Sequence, residues 1–590
     1  MKRNLISTLT LAICAGSLMG QMTVTVNSTS TQVPVGTAIG WNAQVGGLDP
    51  NDAAPPLWYR YRVHLIGEDY KMVSDFGPNQ NLIWASSTRE GTYEMEVTAI
   101  NLATGEEAVQ ESVFQVTPLA TSGPVITPTA HPLVFLYSTP GCNSGSRMRL
   151  EIQDSSGNLQ AVTPYKACRS GVTTNFYIAG MQPSTSYQVH HKIDTGSAFA
   201  DGPAMPVTTG SLPLTLAPYT VLQGPPPASQ DVLLQSTLFE APVATDLNGN
   251  VLWYYPSGDI SYITRPESGG RFLGILEDST KDVAHQVLRE FDLAGNTIQQ
   301  TNAARVNQQL QALGKRQISA FHHEALRLPD GNIMTLGAVE QILTDVQGSG
   351  PIDVIGDMII VLDKNLQIVW TWDAFDHLDT TRLATLKETC TPKTGGCPPI
   401  YLAPVANDWL HGNALQFTPD GNILYSVRHQ DWVVKIDYNN GSGSGNIIWR
   451  LGQDGDFTIN SSDPNPWFSH QHNPNIESGD NTLLDVFDNG NIRHAADNTA
   501  HSRGQVLQLD EQNRVVTLVL NADLGAYALA VGSAQRLADG NYHFDLGFIN
   551  TAQGQFSQSV EVDAAGNFVY QIQSPTPVYR SFRLTTLYGQ

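Results

Sequence analysis

The chain has 590 residues, 41% of them hydrophobic and only 15% charged, with 32 Lys plus Arg against 55 Asp plus Glu and a formal charge of -23. The apolar share is enough for packed cores and excludes wholesale disorder. The acidic balance disfavours a phosphate backbone or an anionic membrane surface, so no nucleic acid partner is expected. It does not exclude an anionic substrate, which a local cluster of Arg and His can hold.

Length sets a prior of roughly four domains. Residues 1–21 read as a signal peptide. Lys2 and Arg3 supply the positive start, and the apolar run 5–15, followed by Gly16, Ser17 and Gly20, is too short to span a bilayer. Ile13 before Cys14 fits a lipoprotein box poorly, and no later segment predicts a membrane span. The expectation is a soluble exported protein, periplasmic or secreted.

Export changes the meaning of the cysteines. Removal of Cys14 leaves Cys142, Cys168, Cys390 and Cys397, which in an oxidising compartment predict two bridges. Cys390 and Cys397 bracket Thr-Pro-Lys-Thr-Gly-Gly, a short loop, and Cys142 with Cys168 makes the other pair. No Cys-x-x-Cys is present to suggest metal.

Along the chain, short alternating runs of Val, Ile, Leu, Tyr and Trp between Gly, Asn, Asp and Pro clusters predict an all-β protein. Helical periodicity is confined to 302–314 and about 380–389. Residues 22–119 read as one β-sandwich, with strands at 57–65 and 92–100. Residues 120–215 read as a second, with strands at 148–152, 175–178 and 185–190. Both are of the immunoglobulin or fibronectin kind, and Pro-rich stretches near 117–128 and 212–227 serve as linkers.

From 220 to 590 the chain repeats. An Asp, a turn and an apolar strand recur at Asp246, Asp292, Asp363, Asp437, Asp510 and Asp563. A second turn signature, Asp-Gly-Asn or Asn-Gly-Asn, ends at Asn332, Asn422, Asn491 and Asn541, and such dipeptides favour hairpins. Six copies predict a six-bladed β-propeller behind the two sandwiches.

Histidines stand before the turn in three consecutive repeats: His322-His323-Glu324, His411-Gly412-Asn413 and His470-Gln471-His472. Strands lining a propeller channel would bring them together with Arg428. A ring of imidazoles suits a metal, but the fixed charge of Arg428 opposes a cation, and no metal is expected. The second reading is anion chemistry: Arg and His hold sulfuryl or phosphoryl oxygens while a neutral His serves as nucleophile or base. The bland reading is that they cap strand ends. Glu324 is expected to orient His323.

The stretch Asn407-Asp-Trp-Leu-His411-Gly-Asn-Ala-Leu, with Tyr425-Ser-Val-Arg428-His-Gln-Asp-Trp432, resembles the bacterial arylsulfate sulfotransferase family, exported enzymes that do not use PAPS. Residues 321–332, Gln471-His472, the Cys390–Cys397 loop and the segment from Leu136 to Met181 extend the resemblance over about 124–590. It implies His472 as the sulfuryl-accepting nucleophile, and His411 and Arg428 as holders of the sulfuryl oxygens. It implies His322 or His323 as the first-repeat histidine, and it leaves His470 as an alternative to His472. Asn413, His470 and Glu324 are expected at the substrate. The implied reaction carries a sulfuryl group from an aryl sulfate donor to a phenolic acceptor without a soluble cofactor. Two departures are visible: an extra sandwich at about 22–118, and Glu324 where Asp is more usual. A homodimer is left open. Other readings are a hydrolase or lyase on the same scaffold, and a non-catalytic binding propeller.

Overall fold

A computed structural model describes residues 21–48, 55–86, 88–213, 216–224, 231–257, 259–277, 282–476 and 482–589. The expected signal peptide, but for Gln21, lies outside the described residues. Within them the alternating runs become 45 strands with two α-helices, and the chain is all-β.

Strands Thr23–Ser28, Ala38–Gly46 and Asn81–Ala85 form one sheet. Gln32–Pro34, Glu107–Thr117, Gly91–Asn101, Leu57–Leu65 and Lys71–Gly77 form the sheet facing it. Along Leu57–Leu65, Tyr59, Tyr61 and Val63 are buried and alternate with Arg60 and Arg62. That period-two pattern closes a core with Ile39, Trp41, Met95 and Val97. A second pair of sheets contains Phe135–Thr139 and Arg147–Gln153 around Tyr137, Leu150, Phe176 and Val189. Both disulfides are present, Cys142–Cys168 in this second unit and Cys390–Cys397 further on.

Six units of four antiparallel strands follow, four of them extended at an edge by further strands. Val232–Thr237, Val243–Asp246 and Val251–Tyr254 form the first with Val578–Leu584, so the end of the chain completes the sheet that opens the repeats. The others run from Tyr262–Glu267 to Thr297–Asn302, Ile318–Arg327 to Ile368–Asp373, Gly412–Phe417 to Ile447–Gly452, His472–Ile476 to Val515–Asp523, and Ser533–Arg536 to Phe568–Ser574. Each sheet contacts the next through its leading strand, and the sixth contacts the first.

The six recurring aspartates each stand at the turn between the third and fourth strands. Asp246 shows why: its Oδ1 accepts the backbone N–H groups of Asn248 and Asn250, both at 2.9 Å. Asp563 repeats this with Ala565 and Asn567. An Asx side chain thus replaces a backbone acceptor inside the turn.

Two expectations are corrected here. Residues 380–389 are not helical; the segment is a turn-rich loop that delivers Glu388 to the interior. The Asn-Gly-Asn ending at Asn491 is not a hairpin, because Leu483–Asp488 runs instead into the short helix Asn491–Ala496. The 302–314 expectation corresponds to the helix Ala303–Ala312, capped by Asn302 accepting from the Arg305 N–H. Among the described residues, no helix is long and apolar enough to cross a membrane.

Candidate active site

The leading strands of the third, fourth and fifth sheets each change register near a histidine: between His322 and Ala325, Gly412 and Ala414, and His472 and Asn475. A bulge re-aims the side chain beside it. His323 and Asn473, inside two of these bulges, hold positive φ of 57° and 48°, and His411 and His470, just before their strands, hold 51° and 54°, a conformation uncommon for residues other than glycine. The His323 and His411 rings meet at 4.9 Å, His411 and His429 at 4.7 Å, and His429 and His470 at 5.5 Å.

His472 is 3% exposed. Its Nδ1 lies 2.7 Å from Asn489 Oδ1. The amide cannot be the other way round, since Asn489 Nδ2 already donates to the carbonyls of Ala528 and Val531 at 2.9 and 3.1 Å. The oxygen therefore faces the ring, Nδ1 carries the proton, and in the neutral ring Nε2 holds the lone pair. Burial, then the Arg428 charge, push the His472 pKa well below its ordinary value, with Asn489 opposing. The result is a neutral, oriented imidazole.

Arg428 begins a single helical turn, Arg428–Gln430, directly after Ile423–Val427. One terminal nitrogen donates to His429 Nε2. His429 must then carry its proton on Nδ1, which donates to the Asp408 carbonyl at 2.7 Å. The Nε–H of Arg428 is buried without an acceptor among the described residues. Orphaned buried donors are costly, so this one lacks the acceptor that its burial calls for.

His411 is fixed by Asp408, Nδ1 to Oδ2 at 2.7 Å. His322 lies 3.1 Å from Asp357 through Nε2 and 2.9 Å from the Nδ1 of His323 through its own Nδ1. The Asp357 carboxylate also accepts from Tyr425 and from the Gly412 N–H. Burial would raise its pKa, but His322, Tyr425 and Gly412 together hold it below the ordinary value. The backbone of His323 is clamped on both sides: its N–H donates to Tyr262 at 2.6 Å, and its carbonyl accepts from Tyr579 at 2.5 Å. Burial, then the neighbouring His411, lower the His323 pKa well below normal.

The other expected site residues sit close by but are differently engaged. His470 is fully buried, with Nε2 against Glu388 and Nδ1 3.0 Å from Asp431, whose carboxylate accepts the His470 backbone N–H. Asn413 donates to the Gln471 carbonyl at 2.7 Å and so ties the fourth sheet to the fifth. Glu324 corrects its expectation: it neither reaches His323 nor opens to a cavity. It is fully buried, and its carboxylate is taken by Arg265 and Arg580, at 2.8 and 2.9 Å. The strand alternation that points one side chain toward the cavity turns the next one away.

A cavity of about 350 Å³ is lined by His322, His323, His411, Asp408 and the loop 391–399. The Cys390–Cys397 bridge therefore shapes one wall of it. Arg428 and His472 are not in this wall and lie buried, at 9% and 3% exposure. Three sets among the described residues have donor atoms close enough to hold a metal: Glu388 with His429 and His470, Asp408 with His411 and His429, and Asp408 with Cys390 and Cys397. The sulfurs of the third are joined in a disulfide, and the first two share His429, against which the Arg428 guanidinium already donates, which opposes a cation there.

Asp357, Asp408, Glu388, Asp431, His429 and Asn489 were not singled out from the sequence as site residues. Asp408 had a signal, three residues before His411. Asn489 was hidden in what read as a turn.

The repeated sheets of this all-β chain thus bring histidines and a buried arginine together. The family model for Arylsulfotransferase (ASST) matches residues 208–580. This chain belongs to that family, and the match spans all six sheets and the histidines just described. No curated protein matches the chain. Among solved structures, the chicken CNTN1 FN1–FN3 domains align at 9% identity over 31% of this chain and 66% of theirs, with a TM-score of 0.13. The chain thus spans just under two thirds of that structure. The selenomethionine-substituted chicken interferon gamma receptor alpha chain aligns at 11% identity over 32% and 99%, also with a TM-score of 0.13. At these scores the likeness carries no argument.

Proposed function

We propose that the protein is an exported arylsulfate sulfotransferase built as a six-bladed β-propeller, about 220–590, behind two β-sandwiches at 22–119 and 120–215. The six four-stranded sheets, the contact between sixth and first, and the closure by Val578–Leu584 support the propeller reading. The two disulfides suit an oxidising compartment.

In this reading the Nε2 lone pair of His472 attacks the sulfur of an aryl sulfate. An N–S bond forms, the S–O bond to the aryl group breaks, and the leaving phenolate takes up a proton. A phenol then attacks the same sulfur, loses its proton, and the N–S bond breaks to restore the imidazole. Splitting the transfer in two removes any need for PAPS. Arg428 and His411 hold the sulfuryl oxygens, where negative charge concentrates in both transition states. His323, supported by His322 and Asp357, moves the proton to the departing oxygen and takes it from the incoming one.

The observation that carries this is the fixed orientation of His472 by Asn489 beside Arg428. The test is incubation with 4-nitrophenyl sulfate, with and without phenol, and without PAPS. Release of nitrophenol that depends on phenol supports transfer. Release indifferent to phenol means a hydrolase or lyase, and no release means a binding propeller.

A further inference from the structure

The first sandwich is joined to the second repeated sheet by specific contacts. Strand Lys71–Gly77 adds in parallel to the edge strand Thr297–Asn302, pairing Ser74 with Gln300. Asn302 Nδ2 donates to the Phe76 carbonyl at 2.9 Å, and Arg305 meets the buried Asp75 at 3.3 Å. A Cβ at Gly77 would come within 2.9 Å of Asn302 Nδ2, so the approach is close.

Between the two elements lies a cavity of about 660 Å³, walled by Tyr59 and Ser74 from the sandwich and by Arg289, Gln300 and Thr301 from the sheet. Glu277 lines both this chamber and the histidine cavity. Its carboxylate accepts from Tyr262, whose hydroxyl accepts the His323 N–H. The two spaces therefore meet at one residue, two hydrogen bonds from the candidate proton carrier.

The walls define what the chamber would take. Arg289 is neutralised by Asp259 at 2.6 Å and fixed by Gln300 at 2.9 Å. Thr301 is 2% exposed, and its buried Oγ1 has no partner among the described residues. Tyr59 adds an aromatic edge. A neutral, hydroxyl-rich group fits this wall better than an ion or a purely apolar one, and the size is that of a small-molecule pocket.

We infer that the first sandwich completes an acceptor subsite, in which the hydroxylated extension of a phenolic glycoside lies between Tyr59 and Thr301 while its phenol reaches the histidines. This rests on the sulfotransferase reading. The test compares phenol with 4-hydroxyphenyl β-glucoside as acceptors, in the full-length protein and in Ala284→Trp and Asn79→Trp, two accessible chamber positions. The expected result is a kcat/KM for the glucoside that exceeds that for phenol in the wild type. Each Trp variant should then lose about tenfold on the glucoside, with phenol within about twofold. Equal losses on both acceptors, no loss on either, or no preference for the glucoside would overturn the subsite. If neither acceptor is sulfated, the sulfotransferase reading fails. Calorimetric binding of the glucoside, present in the wild type and weakened in Ala284→Trp, then still decides the chamber, and absence of binding refutes it.

Discussion

Asn489 fixes the tautomer of His472: its Oδ1 receives the Nδ1 proton at 2.7 Å while its own amide N–H groups are held by Ala528 and Val531. Nothing in the ring itself chooses between the two neutral tautomers; the choice is made one layer out. Asn489→Ala should therefore lower kcat by roughly 5- to 150-fold, from about 1–3 kcal/mol of lost hydrogen bonding, with little change in donor KM. Nitrogen NMR of labelled histidine should show the Nδ1–H form for His472 in the wild type and a mixture in the variant. A variant with unaltered kcat would remove Asn489 from the mechanism.

Arg428→Ala should cost about 2–4 kcal/mol of transition-state stabilisation, as loss of an oxyanion donor does. Arg428→Lys should not restore it, since an ammonium cannot donate to His429 and to an oxyanion in the same planar fork. Steady-state kinetics on both variants decide this, and a fully active Lys variant would contradict the role.

The two disulfides should separate in their effects. Cys390–Cys397 shapes the cavity wall, whereas Cys142–Cys168 lies in the second sheet pair. Replacing the first pair by Ser should raise donor KM several-fold, with about 2–3 kcal/mol lost from the constraint on so short a loop. Replacing the second should lower the melting temperature and leave KM unaltered. Kinetics and thermal melts on the two double variants give the comparison.

Stability should fall on mild acidification. Burial pushes the pKa of His131 down to about 4 and that of His543 to about 3, and lowers His323, His429 and His472 well below normal. Unfolded histidine binds protons near pH 6.5, so below that the unfolded chain holds more protons than the folded one. The contribution is complete above about pH 6.5 and is lost as pH falls toward the folded values. Urea midpoints should drop from pH 7.5 to 5.5, and His543→Gln should reduce the slope. A midpoint that rises on acidification would contradict this.

Fold class was legible because turn chemistry is local. Each Asx turn needs only an Asp and the following Asn or Gly, so six turns could be counted before any contact was known. Asn-Gly at 489–490 misled for the same reason: the dipeptide permits a tight bend but does not say whether a strand or a helix follows. The histidines and Arg428 stood out by recurring in register. Their partners did not, because Asp357, Glu388 and Asn489 come from other strands and loops distant in sequence, and which polar group meets which ring is decided by packing. Glu324 shows the converse, since adjacency to His323 in sequence placed it on the opposite face of the strand.

In the proposed reaction a covalent bond joins sulfur to His472. The direct measurement is intact-protein and peptide mass spectrometry after brief exposure to 4-nitrophenyl sulfate without acceptor. The account predicts one added sulfuryl group, acid-labile, on the peptide containing His470 and His472, discharged by phenol and absent in His472→Asn. An adduct that persists in His472→Asn, or turnover in that variant with no adduct in the wild type, would contradict it.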